Sequence, residues 1–207
     1  MPPLETGIEV LDRQLGGGLP AGSIVSLVAP PSSSAELFLY ELTAARETLY
    51  LSTIRSTAAV RDAFDATQAK TGDPVIKGID GAEVLDLANR SIGRLEEGQG
   101  LIIDPFDPIE QRDEARVVNF LNDLQTHLQN TGGYAVLHCL KDDHNPANRR
   151  LTLHTSDIVF DLDTEIRGSN LVSRLTVPKN RAGKAITEEI KLELIEEVAV
   201  DTSRDIA

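Results

Sequence analysis

The chain has 207 residues, of which 41% are hydrophobic, so one α/β domain with a sizeable core is the expected architecture. Its 33 acidic residues exceed its 20 basic residues, which are 14 Arg and six Lys, and the formal net charge is −13. This balance disfavours a nucleic-acid-binding surface, and it favours solubility in the molar-salt cytosol of a salt-loving microbe over the alternative of an ordinary acidic protein.

Strands and helices alternate along the first two thirds of the chain. Short β-branched apolar runs predict strands, and amphipathic stretches of helix-forming residues predict helices. In chain order the pattern predicts a strand at 23–31, a helix at 35–46, a strand at 47–53, a helix at 57–70, a strand at 73–80, a helix at 82–97, a strand at 100–105, a helix at 109–130 and a strand at 134–141. Such alternation implies a mostly parallel central sheet flanked by helices on both faces.

The pattern changes from Ser156 onwards to segments that alternate apolar and polar residues, at 158–166, 170–179 and 188–195. These segments predict a C-terminal antiparallel meander that extends one edge of the central sheet. No internal repeat and no linker rich in Pro, Gly or Ser divides the sequence. We therefore interpret residues 1–207 as one domain.

The N-terminal segment TGIEVLDRQLGGGLPAGSIVSLVAPP resembles the start of KaiC-like and RadA-like members of the RecA superfamily. The residues that fall in step with that family are Thr6, Gly7, Leu11, Asp12, Leu15, Gly16, Gly17, Gly18, Leu19, Pro20 and Gly22. The resemblance extends from about Thr6 to Val200. It implies a RecA-like P-loop NTPase fold, in which a phosphate-binding loop follows the first core strand.

The phosphate-binding loop departs from the family at each position that carries chemistry. A working loop reads Gly-x-x-x-x-Gly-Lys-Ser/Thr, because its glycines let backbone N–H groups surround the phosphates, its Lys contacts them and its hydroxyl holds Mg²⁺. The corresponding residues are Ala29, Pro30, Pro31, Ser32, Ser33, Ser34, Ala35 and Glu36. Ala35 stands at the Lys position and Glu36 at the hydroxyl position, where a carboxylate repels phosphate. The loop is therefore interpreted as degenerate.

Other family positions give a mixed result. Ile54 and Arg55 stand where the family carries paired glutamates that orient the attacking water, so this catalytic feature is lost. Asp104 matches the acidic residue of the Walker B strand, although an Asp before Pro105 is also a common turn former. Lys179 and Arg181 match residues that contact nucleotide on a neighbouring subunit; without bound phosphate, a solvated turn would suffice.

The remaining chemical candidates are weak by spacing. His127, His138, His144 and His154 do not form a helical metal-binding pair, and residues 141–145 lack the ligand spacing of a calcium loop, so no metal site is predicted. Cys139 lies in an apolar run and is interpreted as a buried hydrophobe. Arg149 and Arg150 are adjacent and are interpreted as a solvated helix start.

Two hypotheses for function follow. The first is a catalytically inactive KaiC/RadA-like module, regulatory or signalling, that binds a protein partner or itself and has no cofactor. The alternative is a nucleotide-binding switch or slow ATPase that binds ATP and Mg²⁺ weakly. With no basic start before an apolar run and no stretch near about 18 apolar residues, we expect a cytoplasmic protein without a membrane or nucleic-acid partner.

Overall fold

The computed structural model describes residues 2–33, 35–167, 170–181, 183, 186–194 and 198–200. The α-helices are Glu9–Gln14 (α1), Ala35–Leu42 (α2), Thr57–Ala66 (α3), Val84–Ile92 (α4), Asp107–Glu110 (α5), Glu114–Thr131 (α6) and Arg149–Thr155 (α7). The strands are Ser23–Ala29 (β1), Thr48–Ser52 (β2), Val75–Gly78 (β3), Gly100–Asp104 (β4), Tyr134–Leu140 (β5), Ile158–Arg167 (β6), Asn170–Asn180 (β7), Ile186–Leu194 (β8) and Val198–Val200 (β9).

The strands form one nine-stranded sheet in the order β3-β2-β4-β5-β1-β6-β7-β8-β9. All neighbouring pairs in this order from β3 to β6 are parallel, and the neighbouring pairs from β6 to β9 are antiparallel. The mostly parallel sheet with a C-terminal antiparallel meander is thus confirmed. The sequence predicts β6 as an antiparallel strand of the meander. The structure differs, because β6 pairs parallel with β1 on one side, with Ile158 opposite Val25, and antiparallel with β7 on the other.

Helices cover both faces of the sheet, which explains why β2 and β4 are buried along their whole length. On one face, α2 and α3 contribute Phe38, Leu39 and Val60 to a cluster that continues to Leu175 of β7. On the other face, the cluster is built by α4, α5 and α6 against the opposite side chains of the same strands. Because successive side chains of a strand point to opposite faces, the strands β1, β2, β4 and β5 contribute residues to both hydrophobic clusters.

The long predicted helix at 109–130 is divided into α5 and α6. The side chain of Asp113 accepts a hydrogen bond from the Arg116 amide at 3.3 Å and so caps the start of α6. The amide of Asn148 donates to the carbonyls of Glu110 and Arg112 at 2.9 and 2.8 Å. These groups hold the break between the two helices, because they satisfy backbone atoms that a continuous helix would pair internally.

The glycine run before β1 allows a close backbone contact. Leu4 and Leu19 exchange hydrogen bonds of 2.7 and 2.8 Å, which attach the N-terminal segment to the loop that leads into β1. Gly18 lies between them with φ +122°, and a Cβ there would stand 2.1 Å from the Leu4 carbonyl oxygen. Gly16 also has a positive φ, +76°, but a Cβ there would meet no neighbouring atom within 4 Å.

We predict that Gly18→Ala lowers the free energy of unfolding more than Gly16→Ala does. Both variants carry the left-handed backbone strain of about 1–2 kcal/mol. Gly18→Ala adds a collision with the Leu4 carbonyl and so separates Leu4 from Leu19. Urea unfolding followed by circular dichroism measures both variants. Equal losses would contradict the assigned backbone contact.

Candidate functional site

The carboxyl ends of the parallel strands meet at one edge of the sheet. Ser52 of β2 is in register with Asp104 of β4, and Ala29 of β1 with Leu140 of β5. Open parallel α/β sheets bind ligands in the crevice beyond these ends. The loops that follow the four strands, with the strand ends and the helix start that border them, therefore form the candidate site, and they hold all the predicted site residues except Lys179 and Arg181.

The loop between β1 and α2 is closed on itself. The amide and the hydroxyl of Ser33 both donate to the Pro30 carbonyl, at 3.0 and 2.6 Å, and Ser33 is fully buried. Ser32 is exposed, and Ser34 lies outside the described residues. Ala29 and Ala35 are buried, while Glu36 is half-buried in the first turn of α2. Glu36 thus places an acidic side chain in the first turn of α2, where a helix N-terminus favours negative charge.

Asp104 is buried and engaged by two neighbouring strands. Nδ1 of His138 donates to Oδ1 at 2.6 Å, and the Tyr50 hydroxyl donates to Oδ2. Burial opposes ionisation, yet the hydrogen bonds and charge of His138, together with the Tyr50 hydroxyl, hold the pKa of Asp104 below its ordinary value. Burial and the Asp104 charge raise the pKa of Tyr50 well above its ordinary value. Asp104 is therefore a buried carboxylate at the predicted Walker B position.

His138 brings an unusual group into this edge of the sheet. It lies near the carboxyl end of β5, and its side chain is buried. Nδ1 of this ring donates to Asp104, and Nε2 has no hydrogen-bond partner in the part of the chain that the structure describes. Residue spacing alone gives no link between His138 and Asp104, although β4 and β5 end at the same edge of the sheet.

Arg55 lies in the loop between β2 and α3, and its side chain contacts α2. Its guanidinium donates to the Tyr40 hydroxyl and to the Ala59 carbonyl, each at 3.0 Å. Glu36 lies close enough for its charge to act on Arg55. Burial raises the pKa of Tyr40 despite the opposing effect of Arg55. The preceding residue, Ile54, is 64% exposed. These two residues stand at the predicted glutamate positions and offer a cation and an apolar side chain.

Lys179 and Arg181 bind the C-terminal end of α7 within the same chain. The Lys179 ammonium donates to the carbonyls of Leu153 and His154 at 2.8 and 2.7 Å, and Arg181 donates to the His154 carbonyl at 2.8 Å. Cations are favourable there because helix C-termini present unpaired carbonyls and negative partial charge. Burial and the neighbouring Arg181 lower the pKa of Lys179. The two residues contact α7 of their own chain, and Arg181 remains exposed, as a solvated turn requires.

Arg149 contradicts the prediction of a solvated helix start. Its side chain is buried and pairs with Asp107 at 2.8 Å and with Glu110 at 2.8 and 3.0 Å, and it donates to the Leu140 carbonyl at 2.7 Å. Burial raises the pKa of Glu110 despite this cation. The sequence carries a signal for these ion pairs: two acidic residues follow β4 and an Arg follows β5, and neighbouring parallel strands end at the same edge of the sheet. The prediction is correct for Arg150, which is exposed.

The other candidates have structural surroundings. Cys139 is buried, and burial raises the pKa of its thiol well above the ordinary value, so the thiolate needed for nucleophilic or metal chemistry is disfavoured. Lys141 pairs with Asp161 and Asp163 at 2.9 and 2.6 Å. Within the described ranges, no group of three or more His, Cys, Asp or Glu side chains is placed to hold a metal, and no helix could cross a membrane.

Comparisons with known proteins identify the fold. A family model described as "Family of unknown function (DUF7125)" matches residues 3–207, and no curated protein matches the sequence. The solved structures that resemble the chain include flagellar accessory protein FlaH from Methanocaldococcus jannaschii, with 12% identity, and a KaiC-like protein from Pyrococcus horikoshii OT3, with 17% identity. Both give a TM-score of 0.74 over 97% of this chain, and 98% and 99% of their own chains are covered. This likeness shows the RecA-like fold.

We predict that Arg149→Met lowers the free energy of unfolding by about 3–5 kcal/mol, because it leaves the buried carboxylates of Asp107 and Glu110 without their cation. Its neighbour provides the matched control: Arg150 is exposed, and Arg150→Met is expected to change stability by no more than about 0.5 kcal/mol. Urea unfolding measures both. Similar losses in the two variants would contradict the buried ion pairs.

We predict that Asp104→Asn reduces the loss of stability on acidification. Because the folded pKa of Asp104 lies below the unfolded value, its ionised form stabilises the fold above about pH 4, and this contribution is lost as the pH falls through the folded pKa. The variant should be about 1–3 kcal/mol less stable at pH 7, where its buried partners lose the charge.

Urea unfolding at pH 7 and pH 3 tests the effect of Asp104. The difference in stability between the two pH values should be smaller in Asp104→Asn than in the unaltered protein. The exposed residue Asp65 supplies the control variant, Asp65→Asn, which should preserve that difference. A difference that is unchanged in Asp104→Asn would contradict the ionised buried carboxylate.

Proposed function

The chain belongs to DUF7125, a family of unknown function, and from its site we propose that it is a RecA-fold module that has lost ATP hydrolysis and acts by binding a protein. That protein is a regulatory or signalling partner or a second copy of the chain. One observation carries the proposal: Ala35 and Glu36 begin α2 where phosphate chemistry requires Lys and a hydroxyl.

The electrostatics at the start of α2 support this proposal. A helix N-terminus attracts anions through its unpaired N–H groups and its dipole. The half-buried Glu36 supplies such an anion from the chain itself. A triphosphate at the same place would meet this carboxylate without the Lys that would offset its charge. Mg²⁺ would lack its hydroxyl ligand, because Glu36 also replaces that residue.

The other charged groups of the site also support it, since each is engaged inside the chain. Asp104 accepts hydrogen bonds from His138 and Tyr50, so metal binding there would have to break buried contacts. Arg55, at a position that would otherwise orient water, donates to Tyr40 and Ala59. Positioned charge and metal provide most of the rate of phosphoryl transfer, and the groups that provide them are replaced or occupied.

Protein binding fits the surfaces that remain. The edge strands of the described sheet are β3 and β9. The N-terminal segment is not part of the sheet and is held by the isolated bridge between Leu4 and Leu19. Edge strands and short apolar segments can pair with another chain through backbone hydrogen bonds and side-chain contacts. We propose these edges as contact surfaces for self-association or for a partner, and we propose no nucleic-acid or membrane role.

Calorimetric titration with ATP and Mg²⁺ in molar KCl tests the loss of nucleotide binding. We predict no saturable heat at ATP concentrations of about 1 mM, which corresponds to binding weaker than about −4 kcal/mol. Saturable micromolar binding that Asp104→Asn abolishes would contradict the proposal and support the nucleotide switch.

Sedimentation velocity of the same samples tests the role in association. Glu36→Thr should leave the oligomeric state and partner capture unchanged, because it alters only the former phosphate position. We choose this single change over one that includes Ala35→Lys, since Ala35 is 1% exposed and a Lys there would be forced into the core. A strictly monomeric protein that captures no partner would contradict the protein-binding proposal.

A further inference from the structure

A groove lies beside α7, away from the loop between β1 and α2. Its cavity volume is about 770 Å³, within the range of about 300–1,000 Å³ that ligand-binding clefts occupy. The side chains that matter here are Glu114 at the start of α6, Arg150, Leu151, Leu153 and His154 of α7, and Lys179 of β7. We call this the α7 groove.

The charge of the α7 groove is opposite to that of the protein. Arg150 is exposed and forms no ion pair or hydrogen bond with any residue that the structure describes. Lys179 donates to two carbonyl oxygens and forms no ion pair with a described carboxylate, although the charge of Asp157 acts on its ammonium. The exposed imidazole of His154 also lines the groove. A chain with net charge −13 thus presents a local basic cleft.

The walls of the groove are partly apolar. Leu151 and Leu153 are half-buried along the helix, between the basic side chains. The opposing charge is Glu114, which is exposed and forms no ion pair within the described part of the chain. A ligand matched to this surface therefore carries several carboxylates together with apolar side chains, and it lies with its charges away from Glu114.

We propose that the α7 groove binds an acidic, leucine-bearing segment of a partner protein. This inference rests on the proposed protein-binding function and specifies the class of partner. Arg150 pairs with a carboxylate of that segment, and Leu151 and Leu153 contact its apolar side chains. Interfaces favour Arg for such pairing because its planar guanidinium binds carboxylates with two parallel hydrogen bonds.

A nucleic acid fits the same charges less well. Single strands are bound by basic grooves that also stack bases on exposed aromatic rings. All five Phe and all three Tyr of this chain are buried, and the sequence has no Trp. The groove therefore offers leucines where a nucleic acid would require aromatic rings.

The test is fluorescence anisotropy with the whole protein and a labelled dodecapeptide of Glu-Glu-Leu repeats. The unaltered protein should bind this peptide saturably, and Arg150→Glu should weaken binding by about tenfold or more. Glu114→Lys should strengthen it, because this change removes the one repulsive carboxylate named in the groove. A peptide with Lys in place of Glu, and a single-stranded DNA dodecamer, should not bind.

Arg61→Glu is the matched control for Arg150→Glu, because it changes the net charge equally at an exposed position of α3. It should leave peptide binding unchanged. Equal weakening by both variants, absence of peptide binding, or binding of the DNA without the peptide would each overturn the proposal. These failures are distinct from failure of the proposed function, which ATP binding in the calorimetric titration would reveal independently of Arg150.

Discussion

The parallel pairing of β1 between β5 and β6 is the constraint on which the rest of the molecule depends. A parallel sheet needs covered faces, and helices from both sides therefore enclose β1, β2 and β4. Parallel strands also end on one side, so the polar residues that follow them collect at a single edge. The contacts of these polar residues distinguish the candidate site.

The edge is filled by contacts within the chain. Asp104 is bound by His138 and Tyr50, while Arg149 joins Asp107 and Glu110 beneath the neighbouring loops. Buried charges are tolerated only when partners and hydrogen bonds offset the loss of water. These internal partners allow the sheet to keep a polar edge in which the buried charges are compensated within the chain.

The residues that form the sheet are distinct from those that form the loop after β1. Ala35 and Glu36 change the chemistry of a helix start without disturbing β1, whose side chains are buried on both faces. The fold of the sheet therefore does not depend on which side chains stand in that loop. At the C-terminal end of α7, Lys179 and Arg181 donate to its last carbonyls, while Arg150 is exposed.

The sequence by itself determined the alternation of strands and helices up to β5, the mostly parallel sheet with its added meander, and the residues that stand at the phosphate-loop positions of the resembled family. These follow from local periodicity and from motif positions, such as the Gly16–Gly18 run and the Ala35–Glu36 pair, which need no knowledge of distant contacts. Only the tertiary structure decided that β6 pairs parallel with β1, that Asp104 meets His138, and that Arg149 is buried while Arg150 is exposed. The reason is that burial and pairing of a side chain depend on which strand ends lie side by side, and residues separated by 34 to 42 positions become neighbours only when the sheet has formed.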